Sequence, residues 1–306
     1  MTVPTSFSGK KVLVTGANGF IGSHLCRRLH NSGADVHGVY RTRPGSVHDD
    51  FTRWWPCDLA DADEVKNLLV RTKPDVIFHL ASHVAGSRSL ELILPTYHSN
   101  LSSTVNLLTA ATELGCHRIV LTGSMEEPAQ SNSDITPSSP YAAAKWAGSA
   151  YARMFHALYQ TPVTIARVFM VYGPGQRDLN KLIPYTILSL LGNRAPELTS
   201  GERQIDWIFV DDVVDGLLSI AQAPNVEGRT IDIGSGEQVS IRDLVLRLVT
   251  VMNSSIEPSF GTIPDRPMEQ TRLANISKTY AETGWKPKTS IENGLRQTIE
   301  WYKSKR

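Results

Sequence analysis

The sequence predicts an α/β fold, a doubly wound parallel sheet with a smaller mixed α/β lobe toward the C-terminus, and three observations point to it. A short apolar run, Lys11-Val12-Leu13-Val14-Thr15, is followed by glycines at 16, 19 and 22 and then by apolar residues at helical spacing through Leu25 and Leu29. That is the pattern of strand, tight turn and helix. Short buried-type runs then keep alternating with helical stretches, as a parallel sheet built from βα units requires. Finally, 306 residues with 41% hydrophobic and 20% charged side chains suffice for one large domain with an appended lobe.

Composition narrows the function classes. A net charge of +1 gives no electrostatic reason to expect nucleic acid or an anionic membrane as partner. Met1 to Gly9 contains no apolar signal region, and no run approaches the ~18 apolar residues of a membrane span. The expectation is a cytoplasmic protein without a membrane partner. Cys26, Cys57 and Cys116 are odd in number and lack metal-type spacing, so they read as reduced, mostly buried thiols. His79 and His83 are four apart, but His79 closes an apolar run and has no acidic third ligand nearby; no metal site is expected.

The elements follow in order. In the turn, Gly16 permits a sharp reversal, Gly19 lets a pyrophosphate approach the backbone, and Gly22 lets the helix pack on its strand, with the helix N-terminus aimed at the anion. Gly16, Asn18, Gly19, Phe20, Ile21 and Gly22 are therefore assigned to dinucleotide binding. The second strand, Val36 to Tyr40, ends in Tyr40-Arg41-Thr42-Arg43. Arg41 and Arg43 suit a 2′-phosphate, which a carboxylate there would repel, so NADP(H) is favoured with NAD(H) as the alternative. Both arginines also read as solvated loop charges.

Asp58, beside Leu59, is suited either to accept from an adenine amino group or to cap the helix from Asp61 to Arg71. Trp54 and Trp55 read as packing residues. A further strand, Pro74 to Ser82, runs into small residues that let the backbone lie against a dinucleotide, and Leu80, Ala81 and Ser82 are assigned to the cofactor. A long helix is expected from about Thr96 to Leu114, carrying Asn100, which is assigned to the cofactor. The strand Ile119 to Thr122 leads to Ser124 at a carboxyl end, where ligands of such sheets sit.

Tyr141 and Lys145 follow a proline helix start and lie on one helix face, one turn apart. A phenol near pKa 10 works as an acid or base at neutral pH only where its anion is stabilised; an ammonium and an oxidised nicotinamide would do that.

Taken together, Thr15-Gly16-Ala17-Asn18-Gly19-Phe20-Ile21-Gly22, Ser124 and Tyr141-Ala142-Ala143-Ala144-Lys145 resemble the extended short-chain dehydrogenase/reductase family, in its nucleotide-sugar branch. Arg167 to Gly175, Gly201 to Val213, Gly284-Trp285-Lys286-Pro287 and Ile299 to Tyr302 are similar to later segments of that branch. The resemblance implies a Rossmann domain at 1–170 plus a returning segment at about 206–234. A nucleotide-sugar lobe is implied at about 171–205 and 235–306, as is a homodimer built through the helices near 100–114 and 141–159.

It further implies Tyr141 as acid/base, Lys145 lowering its pKa and holding the nicotinamide ribose, and Ser124 orienting the sugar oxygen. Arg203 and Arg266 match positions that grip the diphosphate, with Met125, Met170 and Lys181 beside the sugar. Dehydratases of this branch need a second acid and base after the Ser; here Met125 cannot carry a proton, although Glu126 can. Pro128 and Met170 depart from the branch's usual Tyr and Asn. The expected reaction is NADPH-dependent reduction of a 4-keto(-6-deoxy) nucleotide sugar; the alternative is a 4-epimerase or 4,6-dehydratase that retains NAD(P).

Overall fold

The structure, a computed structural model, describes residues 7–41, 51–84, 87–129 and 135–305. Its strands in chain order are β1 (Lys11–Thr15), β2 (Asp35–Tyr40), β3 (Thr52–Pro56), β4 (Val76–His79), β5 (Arg118–Ser124), β6 (Val163–Val168), β7 (Met170–Tyr172), β8 (Glu197–Leu198), β9 (Gln204–Phe209), β10 (Thr230–Ile233), β11 (Gln238–Ser240) and β12 (Ser259–Phe260). Seven of them form one sheet ordered β10-β6-β5-β4-β1-β2-β3, with every neighbouring pair parallel. The order reverses between β1 and β4, so the crevice of this doubly wound sheet opens at their carboxyl ends.

Side-chain alternation along the strands builds a core on each face. Val12, Val14, Val36, Phe78 and Val120 join Leu25 and Leu29 of helix α1 (Phe20–Asn31) on one side. Leu13, Ile77, Ile119 and Leu121 face the other way, toward α2 (Ala62–Thr72). After the short α3 (Ile93–Thr96) come α4 (Ser103–Leu114) and α5 (Pro140–Tyr159), which complete that second layer through Leu107, Leu108, Ala152 and Phe155. Each fully buried aliphatic side chain contributes about 1.5–3 kcal/mol relative to an exposed one.

A smaller sheet, β11-β9-β7, pairs β9 antiparallel to β11 and parallel to β7. Its side chains Ile205, Trp207 and Phe209 pack with Ile183 and Ile187 of α6 (Leu182–Leu191), with Leu244 and Leu248, and with Leu295 and Ile299. The chain then passes through α7 (Val210–Gln222), whose Val213, Val214 and Leu217 join the α1 face, before β10 closes the edge of the main sheet.

Three expectations are corrected. The helix expected from Thr96 is interrupted: α3 contains Pro95, and a π-helical stretch, Tyr97–Ser102, intervenes before α4. Such widened turns occur frequently at functional sites, and this one carries Asn100. Asp58 does not cap α2. Asp61 does, its side chain accepting from the Asp63 and Glu64 N–H groups, while Asp58 Oδ1 accepts from Ala60 N–H at 3.0 Å. Lastly, β9 belongs to the small sheet, so the segment returning to the main sheet begins at Val210.

Candidate active site

The turn after β1 is shaped by what a side chain would strike. Gly16 has φ +67°, and a Cβ there would lie 2.8 Å from Ala81 N and 2.9 Å from the Leu80 carbonyl carbon. A Cβ at Gly22 would lie 2.1 Å from Gly16 O, so α1 can start against the turn only with glycine at that position. Gly19 is the N-cap of α1, with no side-chain cap and no acidic residue in the first turn. The helix end thus presents uncapped N–H groups and no competing carboxylate, which fits a pyrophosphate. Asn18 sits half-buried in this turn. Phe20 and Ile21 pack their side chains on the small-sheet cluster, leaving their backbone as the part available to an anion.

Across the crevice, Leu80 N–H and Ala81 N–H donate to Thr15 O and Oγ1 at 3.2 and 3.1 Å, fixing the small-residue segment beside the glycine turn. Asn100, assigned to the cofactor from sequence, ties down the segment after β4. Its Oδ1 accepts from Ser82 Oγ at 3.2 Å and His83 N–H at 2.6 Å, and its Nδ2 donates to His83 O at 3.2 Å. His79 is occupied between Thr15 Oγ1 and Thr104 Oγ1, at 2.8 and 3.1 Å. Burial, with Lys145 nearby, pushes its pKa down to about 3, so the ring is neutral.

At the adenosine end, Arg41 is exposed just beyond β2 and Arg43 lies outside the described residues. Asp58 is exposed, and buried Leu59 offers its carbonyl to Asn106 Nδ2 at 3.1 Å.

Ser124 is the last residue of β5. Ser139 caps α5, accepting from Ala142 N–H at 3.1 Å, and Pro140 follows; this places Tyr141 in the first turn of α5, where its hydroxyl is hydrogen-bonded to Ser124. One turn on, Lys145 is 7% exposed and its Nζ donates to Thr122 O at 2.8 Å. Burial pushes the Tyr141 hydroxyl up to about 12, against the pull of the Ser124 bond and with the charges of Glu127 and Glu126 adding to the rise. Burial also brings the Lys145 ammonium down to about 8, which Glu127 partly opposes. A positive charge bound beside the phenol would favour its anion and so suit it to proton transfer at neutral pH.

Glu127 has no counterpart among the sequence assignments. It is 5% exposed, its Oε1 accepts from Ser124 N–H at 2.7 Å, and burial raises its carboxyl pKa. The signal was Gly123, where a Cβ would come within 2.6 Å of that oxygen. Asp206 was also missed: fully buried, it accepts from Ser235 N–H and Oγ–H, Gly236 N–H and Ala274 N–H at 2.6–3.1 Å.

The substrate-side residues are partly reassigned. Met125, just past the end of β5, is 2% exposed and packs in the α1-face core. Met170 opens β7 opposite Trp207, half-buried between two clusters, and Lys181 stands at the N-terminus of α6. Arg203 Nη2 donates to Glu126 Oε1 and to Gln270 O, each at 2.8 Å, and its Nη1 pairs with Glu269 at 3.1 Å. Both Arg203 and Glu126 are thus engaged with partners across the cleft. Arg266 is exposed on the segment after β12.

An uncapped glycine turn at the switch point, opposed to a Ser–Tyr–Lys set at the end of β5, defines a dinucleotide-dependent enzyme of the extended short-chain dehydrogenase/reductase type. The chain belongs to the NAD dependent epimerase/dehydratase family, whose family model matches residues 12–234. It is 31% identical over 96% of its length to UDP-glucose 4-epimerase of Mycolicibacterium smegmatis, covering 99% of that protein. It is 28% identical to mouse dTDP-D-glucose 4,6-dehydratase, covering 98% of this chain and 90% of the other.

The solved structure of UDP-glucuronic acid 4-epimerase from Bacillus cereus, in complex with UDP-glucuronic acid and NAD, matches with a TM-score of 0.85 at 27% identity. The match covers 97% of this chain and 100% of that one. These relatives are epimerases and a dehydratase, so the preference for a ketoreductase is not supported, and neither is the preference for NADP. No helix among the described residues is long and apolar enough to cross a membrane.

Proposed function

We propose that the chain is a nucleotide-diphosphate-sugar 4-epimerase that keeps its dinucleotide through the cycle. The observation that carries the choice over dehydration is Met125. At the position where a dehydratase places its second proton-carrying group, this chain has a thioether buried in the core, and the adjoining Glu126 is paired with Arg203. Epimerisation needs only one acid/base, which Tyr141 supplies. The named epimerase relatives support the same reading.

When bound, a nicotinamide dinucleotide supplies the hydride acceptor and donor for the sugar carbon. Ser124 Oγ holds the sugar oxygen, Tyr141 Oη takes its proton as the ketone forms, and Lys145 keeps the phenolate tolerable. After the ketone presents its other face, Tyr141 Oη returns the proton to the re-formed alkoxide. Residues 1–170 and the segment from α7 to β10 hold the dinucleotide in this reading, and 171–209 with 235–306 hold the nucleotide sugar, with Arg203 and Arg266 on the diphosphate.

The test is to incubate the enzyme with UDP-glucose and either NAD or NADP and to follow the sugar by NMR. Formation of the 4-epimer without net change in cofactor absorbance supports the reading. A 4-keto-6-deoxy product overturns it in favour of dehydration. Arg41 and Arg43, with no carboxylate at the end of β2, favour NADP and, with it, net ketone reduction as the second reading. Leu94, Tyr97 and Leu158 leave apolar surface exposed on α3 to α5, and we propose a homodimer through these helices, to be checked by sedimentation.

A further inference from the structure

Glu127, which the reaction above leaves without a part, sits behind the reacting pair. It is 5% exposed and grips both backbone groups of one residue: Oε1 accepts from Ser124 N–H at 2.7 Å, and its own N–H donates to Ser124 O at 3.1 Å. The turn so closed aims Glu126 N–H at Ser124 Oγ, at 3.2 Å. That bond fills a lone pair of the hydroxyl and leaves its O–H free to donate.

Tyr141, Lys145 and Ser149 stand four apart on α5, so they lie along one helix face. Lys145 Nζ is bonded to Thr122 O and Oγ1, at 2.8 and 3.4 Å, and neither carries charge. A buried ammonium with neutral partners alone is costly to keep protonated. The charge of Glu127 opposes that cost. Ser124 N–H from β5, Lys145 and the Ser149 hydroxyl from α5, and Arg167 from β6 all favour the Glu127 anion, and burial works against it. Arg272, after β12, is drawn to the same carboxylate. The other charges around are spoken for: Glu126 pairs with Arg203, Asp232 pairs with Arg167, and His79 is neutral.

We propose that Glu127 is a positioning residue of the reaction: its buried carboxylate closes the Ser124 turn and is the counter-charge that keeps Lys145 an ammonium beside Tyr141. The proposal rests on the acid/base reading of Tyr141 and Lys145 given above. An oxidised nicotinamide dinucleotide adds positive charge to the site, and a fixed anion lets the ammonium survive its arrival.

Lysine is isotope-labelled at Cε, and the Lys145 resonance, identified by its loss in Lys145→Met, is titrated by NMR with and without NAD. The proteins are the wild type, Glu127→Gln, which keeps an oxygen for Ser124 N–H but no charge, and Glu127→Asp, which keeps the charge on a shorter arm. The wild-type midpoint is expected at about 8 without NAD. Glu127→Gln lowers the midpoint by about 0.5 pH unit or more in both states, and Glu127→Asp moves it much less. In parallel, the pH profile of UDP-glucose turnover moves toward acid in Glu127→Gln, because losing a nearby anion lowers the Lys145 and Tyr141 pKa values together.

A residue that merely closes the turn lowers turnover in both variants and leaves the Lys145 midpoint and the profile in place, which overturns the proposal. A midpoint that rises in Glu127→Gln also overturns it. The expected fall of the midpoint, in a protein whose wild type leaves UDP-glucose unchanged, sustains the inference and removes the proposed reaction. Epimerisation with an unmoved midpoint does the reverse.

Discussion

Replacing Lys145 by Met should make the ligand-free protein more stable while disabling it. The ammonium is buried, and its pKa is about 8 against an ordinary 10.5. Keeping it charged in the fold thus costs about 3 kcal/mol at neutral pH. Met fills nearly the same volume without charge but gives up the bond to Thr122 O, worth about 1 kcal/mol net. The balance is about 2 kcal/mol in favour of the variant.

The pH dependence follows from the folded pKa lying below the unfolded one. The penalty on the wild type is fully present below about pH 8, shrinks as pH rises through 8 to 10.5, and is absent above. The assay is urea denaturation of ligand-free wild type and Lys145→Met at intervals from pH 6 to 10, with turnover measured in parallel. A variant less stable than the wild type at pH 7, or a stability difference that does not change with pH, would refute the reasoning.

Tyr141→Phe should reduce turnover by about 10²–10⁴-fold, the usual scale for a lost proton-transfer group, while fluorescence titration shows dinucleotide affinity nearly retained. Gly22→Ala forces a Cβ against Gly16 O; the unfolding midpoint should drop by an amount equivalent to about 1–3 kcal/mol, and dinucleotide affinity should fall with it, measured by calorimetry. Asp206→Ala leaves the Ser235, Gly236 and Ala274 N–H groups without their acceptor. Denaturation should register a loss of at least about 3 kcal/mol, and the Michaelis constant for the nucleotide sugar should rise as the segment ending at Ala274 loosens.

Local rules made part of this molecule legible in its sequence. Glycine at 16, 19 and 22 follows from steric limits within a seven-residue turn, and Tyr141 with Lys145 from one turn of helix. The structure shows both as backbone and side-chain facts. What sequence could not give were pairings set by topology. Arg203 meets Glu126 across 77 residues, and Asp206 meets Ala274 across 68, because β9, β5 and the segment after β12 converge only after the sheets assemble. By sequence Asp61 reads as the first helical residue and Asp58 as its cap; the helix begins one residue later, at Ala62, which leaves Asp61 as the capping residue. Met125 was readable as a residue unable to carry a proton, but not as a core residue, since its orientation depends on how β5 ends.

The junction between β6 and β7 carries a mechanical consequence. Only Phe169 separates the two strands; it is buried, and its N–H is bonded to Ile233 O at 3.0 Å. The two sheets are therefore joined by a stiff beam of nearly continuous extended backbone, not by a loose tether. Wholesale rotation of one lobe against the other would have to break that beam. The segment from β12 to Ala274, by contrast, is held to Arg203 and Asp206 by a few separate polar contacts, so the two sides of the lobe are anchored by unlike means: one by backbone continuity, the other by side-chain clasps.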